Sequence, residues 1–210
     1  MFISLFVSLI ASEVDSIIKT PLVKAEEPGK ERTPRFFEVR DNRVSYIDDE
    51  KVGDEIELVI GSLPNCNRPD FGSVASAEYV AGLNFYKSCI TNRAKRLTNF
   101  KTQTEFYNVK MVDARTFSFR YEPIASQLGE SVDEFEASES SYEKALKGFN
   151  PQDSYLAFIV RPNSFKAFRA AREKAWAMGF DVGWEPHKPE FPIQFGDAAL
   201  NPGGRAIGAQ

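Results

Sequence analysis

The chain has 210 residues, with 26 basic and 30 acidic side chains and a net charge of −4. That length allows one domain with appendages or two small ones, and a core large enough to fold without a metal or disulfide scaffold. The mild acidic balance argues against a nucleic-acid binder, because a phosphate backbone demands a concentrated basic surface.

The run from Met1 to about Ile10 is apolar. At about 1.5 Å per residue it covers roughly half of a hydrocarbon core of about 30 Å, so it does not span a bilayer as written. It has the length of a signal-peptide core, but no Lys or Arg precedes it and Ala11-Ser12-Glu13 is a loose processing pattern. Three readings stay open: a signal or membrane-associated segment, the first element of the fold, or an incomplete or misassigned start. Lys24 to Arg35 holds six charged side chains before its last residue, together with Pro28, Gly29 and Pro34, and reads as a charged linker. Residues 1–35 are therefore expected to precede the folded body.

In "RFFEVRDNRVSYIDDE", Phe37 and Val39, then Val44 and Tyr46, alternate with polar residues around Asp41-Asn42. This predicts a β-hairpin over about Phe36 to Ile47. Asp54 to Ile60 fits a third strand or the start of a helix, since seven residues do not separate the two periods. The acids Asp48, Asp49, Glu50, Asp54 and Glu55 lack the ligand spacing of a calcium loop and read as a solvated turn. "GSLPNCNRPDFGS" is a loop. Cys66 and Cys89 are the only cysteines and have no neighbouring histidine. They read as an inert thiol pair in preference to a disulfide or partial metal site, so cysteine usage leaves the compartment open.

From about Val74 to Lys101, Tyr79, Leu83, Tyr86 and Ile90, with Leu97 further on, lie at helical spacing. One long helix, or two separated near Gly82, would bury that stripe. Lys87, Arg93, Lys95, Arg96 and Lys101 form a run without an acid. It reads as a solvated face with helix-end cations, or as an interaction surface for an acidic partner or anionic lipid. Thr104 to Pro123 predicts a second hairpin around Asp113-Ala114-Arg115, pairing against the core sheet, with Phe117, Phe119 and Tyr121 on one face. From Glu122 to Glu143 there are seven acids and no base, which reads as a flexible acidic connector entering a short helix over about Ser140 to Lys147.

The stretch from Tyr155 to Pro186 is the most strongly patterned. "LAFIVR" has the apolar continuity of a strand buried on both faces. Asn163 or Ser164 is placed to cap a helix whose buried stripe is Phe165, Phe168, Ala171, Ala175 and Met178. Gly179 suits a left-handed helix end, and "FDVGWEP" resumes as a strand ended by Pro186. Two strands joined by such a helix predict a crossover with parallel neighbours and, at the sheet's edge, groups free to pair with a second copy or an extended peptide. Phe191, Ile193 and Phe195 alternate and add an edge strand, and residues 196–210 read as a flexible tail. The fold class expected is α+β: a small mixed sheet over 36–195 with a C-terminal strand–helix–strand crossover and a long helical and hairpin insertion at about 61–154.

The sequence contains no Gly-rich phosphate loop, no Gly-x-Ser-x-Gly elbow and no His-Glu-x-x-His helix, so no catalytic or metal-binding residue is assigned and no cofactor is implied. His187, the single histidine, reads as a surface-loop residue. Arg161 and Arg169, near the strand exit and helix start, are candidate anion-binding residues.

"FFEVRDNRVSYIDDEKV" and "YLAFIVRPNSFKAFRAAREKAWAMGFDVGWEP" resemble the soluble domain of the biopolymer-transport accessory proteins that accompany proton-driven membrane motors. The second stretch is also similar to bacterial proteins, notably from planctomycetes, without an assigned activity. The resemblance implies a small α/β domain beside a membrane complex, in the cell envelope or periplasm, although a cytoplasmic location stays open. Two departures accompany it. The proton-coupling aspartate of that family's membrane helix has no counterpart within Met1 to Ser12, and about 100 residues, from Leu58 to Ser154, separate the two matched parts. The function expected is a non-enzymatic assembly or peptide-binding domain, with a hydrolase or anion-binding enzyme as the alternative. Its expected partners are another protein or a second copy, with peripheral membrane association open and nucleic acid excluded.

Overall fold

The computed structural model describes residues 32–67, 77–114 and 118–196. The apolar opening, most of the charged linker, Phe117 and nearly all of the tail lie outside the described residues. The architecture is α+β, with a five-stranded mixed sheet, a four-stranded sheet and several helices.

Strands β1 (Thr33–Arg40) and β2 (Arg43–Ile47) pair antiparallel. Asp41 and Asn42 both have positive φ, the backbone that a two-residue hairpin turn needs to match the strands' twist. The strand starts at Thr33, so the end of the expected linker is already paired. Helix α1 (Asp49–Gly61) resolves the open reading of the next segment: Val52 and Ile56, one turn apart, are buried. Asp48 caps it by accepting from the Lys51 amide at 3.0 Å.

Next among the described elements is α2 (Ala77–Thr98), a single helix that Gly82 does not divide. Cys89 of this helix is joined by a disulfide to Cys66 in the segment after α1, with Cα atoms 5.7 Å apart, which corrects the reading of an inert thiol pair. Cys89 is turned inward, and Ile90, about 100° further round the helix, is exposed rather than part of the expected buried stripe.

Strands β3 (Lys101–Gln103), β4 (Tyr107–Asp113) and β5 (Ser118–Pro123) follow as antiparallel neighbours, and β9 (Ile193–Phe195) closes the order β3-β4-β5-β9. The second hairpin is therefore not added to the five-stranded sheet, as expected, but builds a sheet of its own. Its inward residues Tyr107, Val109, Met111 and Tyr121 meet the far side of the first sheet, and that shared apolar contact explains the separate layer.

The acidic segment is ordered, correcting the flexible-connector reading. It holds β6 (Glu130–Ser131), paired to β2, and helices α3 (Val132–Glu136) and α4 (Ser141–Gly148). Its acids satisfy amides at helix starts, where the first turn leaves N–H groups unpaired. Glu134 accepts from the Ser131 amide at 2.7 Å, and Glu130 accepts from the amides of Ser141 and Tyr142 at 2.6 and 2.8 Å. Gly129 has φ +74, and a Cβ there would meet the Val44 carbonyl oxygen at 1.9 Å, so only glycine lets β6 approach β2.

Strand β7 (Ser154–Val160) is buried throughout, helix α5 (Phe165–Ala177) follows, and β8 (Val182–Pro186) pairs parallel to β7, giving the order β6-β2-β1-β7-β8. Gly179 has φ +88 at the end of the helix. Ser164 occupies the cap position but does not cap. Its Oγ accepts instead from the Asn42 amide at 3.3 Å, fastening the helix start to the hairpin turn.

Alternation along the central strands divides the core. Phe37 and Val39 of β1 and Leu156, Phe158 and Val160 of β7 face α3, α4 and α5, where Phe168, Ala171 and Ala175 pack against them. Phe36 of β1 and Tyr155, Ala157 and Ile159 of β7 face α1 and the second sheet. Burial of each large apolar side chain contributes about 1.5–3 kcal/mol, which makes this two-sided sheet the centre of stability. None of the helices among the described residues is long and apolar enough to cross a membrane.

Candidate functional site: an arginine cleft

Strands β1, β7 and β8 run parallel, so their carboxyl ends lie on one side. In open α/β sheets, ligands gather outside those ends. Here the three strands deliver Arg40, Arg161 and His187 to that side. The pairing of Val39 with Val160 sets Arg40 beside Arg161, and the His187 amide bonds the Val160 carbonyl at 2.9 Å. Arg120, on β5 of the other sheet, completes a cleft of ≈ 370 Å³ whose walls include Tyr121, Phe191 and Ile193.

Beneath the cleft is a buried polar network. Glu38 is on the same face of β1 as Arg40, two residues away, and is 0% exposed. Its Oε1 accepts from Arg161 Nε at 2.6 Å and from Arg40 Nη2 at 2.8 Å. Its Oε2 accepts from the Tyr107 hydroxyl at 2.9 Å, and that hydroxyl lies 2.7 Å from Ser45 Oγ. Burial, and then the Glu38 charge, push the Tyr107 hydroxyl well above the usual tyrosine range, so it remains a donor. The result is a carboxylate held on both oxygens that fixes two guanidinium groups at the cleft's base.

Arg161 is 3% exposed, and its Nη1 also donates to the carbonyls of Lys188 and Phe191, the latter at 2.8 Å. These bonds hold the 187–191 loop against the strand ends. Two donors stay unmatched: Nη2 of Arg161 and Nε of Arg120 are buried and have no acceptor among the described residues. An unsatisfied buried donor costs about 1–3 kcal/mol, more when charged. Arginine's planar fork suits carboxylate and phosphate through charge-assisted hydrogen bonds, so three guanidinium groups lining one cleft favour an anion there.

His187 is half-buried rather than a free surface side chain. Burial, and then the charge of Arg161, lower its pKa, and its Nδ1 has no partner among the described residues. Of the two expected anion-binding arginines, Arg161 lines the cleft, whereas Arg169 lies on α5 and is not part of it. Arg40, Arg120 and Glu38 were missed. The signal for Glu38 and Arg40 is their two-residue spacing on a strand that, as a parallel neighbour of β7, must be buried on both faces. Nothing local marks Arg120.

The expected basic surface is only partly assembled. Arg93 donates to the Pro64 carbonyl at 2.8 Å and Arg96 to Ser62 Oγ at 3.4 Å, so both clasp α2 to the segment after α1. Lys87, Lys95 and Lys101 are exposed, and Lys101 belongs to β3 rather than the helix. Of the acids in residues 48–55, Asp48 caps α1, Glu50 pairs with Arg35, and Glu55 lies 3.9 Å from Lys51. No group of three or more potential metal ligands occurs among the described residues. Comparison with family models, curated proteins and solved structures finds no match to this chain.

Proposed function

We propose that this chain is a non-enzymatic binding and assembly domain that takes an anionic group of a protein partner into the Arg40–Arg120–Arg161 cleft. The observation that carries the reading is the convergence on one cleft of Arg40 and Arg161, from the carboxyl ends of parallel strands, with Arg120 of the second sheet, where Nη2 of Arg161 and Nε of Arg120 have no acceptor among the described residues. Two further features favour a protein partner. The terminal strands β8 and β9 of the two sheets flank the loop that lines the cleft, so an extended chain has a strand to run beside. Phe191, 51% exposed at the rim, offers an apolar contact next to the charge.

The reading keeps the finer architecture expected from sequence, a small mixed sheet with a C-terminal strand–helix–strand crossover and an insertion between about 61 and 154. With it goes the accessory role beside a bacterial membrane transport or motor complex that the resemblance implies. The Cys66–Cys89 disulfide supports a place in the cell envelope, because such bonds persist in oxidising compartments.

The test is fluorescence anisotropy with a labelled glutamate-rich hexapeptide against wild type and Arg120→Ala. Loss of a charge-assisted hydrogen bond of about 1.5–3 kcal/mol is expected to weaken binding about tenfold or more. Equal affinity for the two proteins, with both folded by circular dichroism, would overturn the proposal.

A further inference from the structure

Resting on that reading, we infer that the cleft holds a single carboxylate borne by an apolar chain end: the C-terminal residue of a partner peptide, with its side chain against the aromatic and proline wall. Charge, shape and lining lead to this ligand.

The side chains lining the cleft include Arg40, Arg120, Arg161, Glu122 and Glu190. Glu38 is bonded to Arg40 and Arg161 and offsets one of the three cations. Glu122 is offset by Lys110, whose Nζ lies 2.6 Å from it. Two arginine charges then stand against Glu190, leaving one net positive charge. One carboxylate balances that charge, whereas a phosphate monoester at neutral pH carries about −1.5 to −2 and leaves a surplus beside two acids.

The space is too large for an inorganic ion alone. The cleft of ≈ 370 Å³ is of the size that holds a small organic group. Pro123, Pro189, Phe191, Pro192 and Ile193 supply apolar wall beside the cations. A polar body would leave that wall wet, whereas an apolar side chain next to the carboxylate covers it. A chain terminus joins these features within one residue, and an extended terminus fits the run of β9 from the cleft along the sheet's end.

The experiment measures anisotropy of an N-terminally labelled, otherwise neutral pentapeptide ending in leucine, against the full chain. It is compared with the same peptide amidated at its C-terminus, and with the amidated peptide carrying phosphoserine in the last position. The free acid is expected to bind at least tenfold tighter than the amide and at least threefold tighter than the phosphopeptide. Arg120→Gln and, as a second variant, Arg40→Gln are each expected to remove most of the preference for the free acid. Equal binding of acid and amide overturns the inference. Tighter binding of the phosphopeptide, still dependent on Arg120, overturns the carboxylate assignment while leaving the anionic cleft intact. N-acetyl-leucine competing as strongly as the pentapeptide overturns the chain-end assignment in favour of a small free acid. Absence of any Arg120- or Arg40-dependent binding, including that of the glutamate-rich hexapeptide, overturns both this inference and the proposed function.

Discussion

Both faces of the five-stranded sheet rest on apolar clusters, but they differ in what is buried among them. Toward α3, α4 and α5 the contacts are apolar and aromatic: Phe37 stacks on Phe158, Phe158 meets Phe168, and Phe168 meets Trp184. Toward the second sheet, β1 carries Glu38, held by Arg161 and by the Tyr107 hydroxyl of β4, among apolar neighbours. An apolar face loses stability in proportion to what is removed from it. A polar network loses most when one member is removed and its partners are left uncompensated. The comparison separates a face that specifies the fold from one that holds a charged site in place.

The sharpest way to break this comparison is to remove one group from each face. Phe168→Ala is expected to cost about 3–5 kcal/mol from lost burial and cavity formation. Glu38→Ala is expected to cost a similar amount, about 3–5 kcal/mol, by stranding Arg161 and Arg40. The faces then diverge on rescue. Adding Arg161→Met to Glu38→Met should recover most of the loss, because a buried ion pair replaced by apolar groups is often neutral or stabilising. The same double change should abolish anion binding. Urea unfolding of the single and double variants measures the stabilities, and a double variant no more stable than Glu38→Met would sink the contrast.

Away from both faces, α2 is held by a disulfide and two arginine bonds rather than by a continuous buried stripe. The bond closes a loop with a sequence separation of 23 residues. Reducing it is expected to release about 3 kcal/mol of loop-closure stabilisation. Hydrogen exchange should accelerate across residues 77–98 while β1 and β7 stay protected. Uniform acceleration throughout the chain would show that α2 is coupled to the sheets more tightly than its exposure implies.

A smaller, pH-dependent effect sharpens the polar side. Burial pushes the Asp49 carboxyl up to about 6, and its Oδ1 has no partner among the described residues. In the unfolded chain an aspartate titrates near about 3.9. Between those values the folded state binds more protons than the unfolded state, so stability falls as pH rises from about 4 to 6 and levels off above. Asp49→Asn should remove that fall and be about 1–3 kcal/mol more stable than wild type at pH 7, while the two converge near pH 4. Parallel stability curves for the two proteins from pH 4 to 7 would rule out the assignment.

Legibility in the sequence followed the range of the interactions. Residues 36–47 and 155–186 were readable because alternation, a primed turn and a helical stripe each act over a few residues. The hairpin of β4 and β5 was readable as a hairpin, but its sheet was not, since either sheet would have accepted its apolar face. The acidic segment was misread because composition counts Glu130 and Glu134 as solvated charge, whereas Glu134 accepts from the Ser131 amide three residues back and Glu130 from helix-start amides at Ser141 and Tyr142. Cys66 and Cys89 illustrate the same limit: their pairing depends on how α2 lies against the segment after α1.

What the amino-acid order determined by itself was the local alphabet: hairpin, helix, buried strand and the glycine at a helix end, each fixed by backbone sterics and side-chain period. Tertiary structure decided the site. Glu38 and Arg161 are 123 residues apart in the chain, and only the parallel pairing of β1 with β7 brings them together. Arg120 then joins them from a second sheet whose position is set by apolar contact. The cleft's electrostatics arise where those two long-range choices meet, because charges interact through distance in space and not through order along the chain.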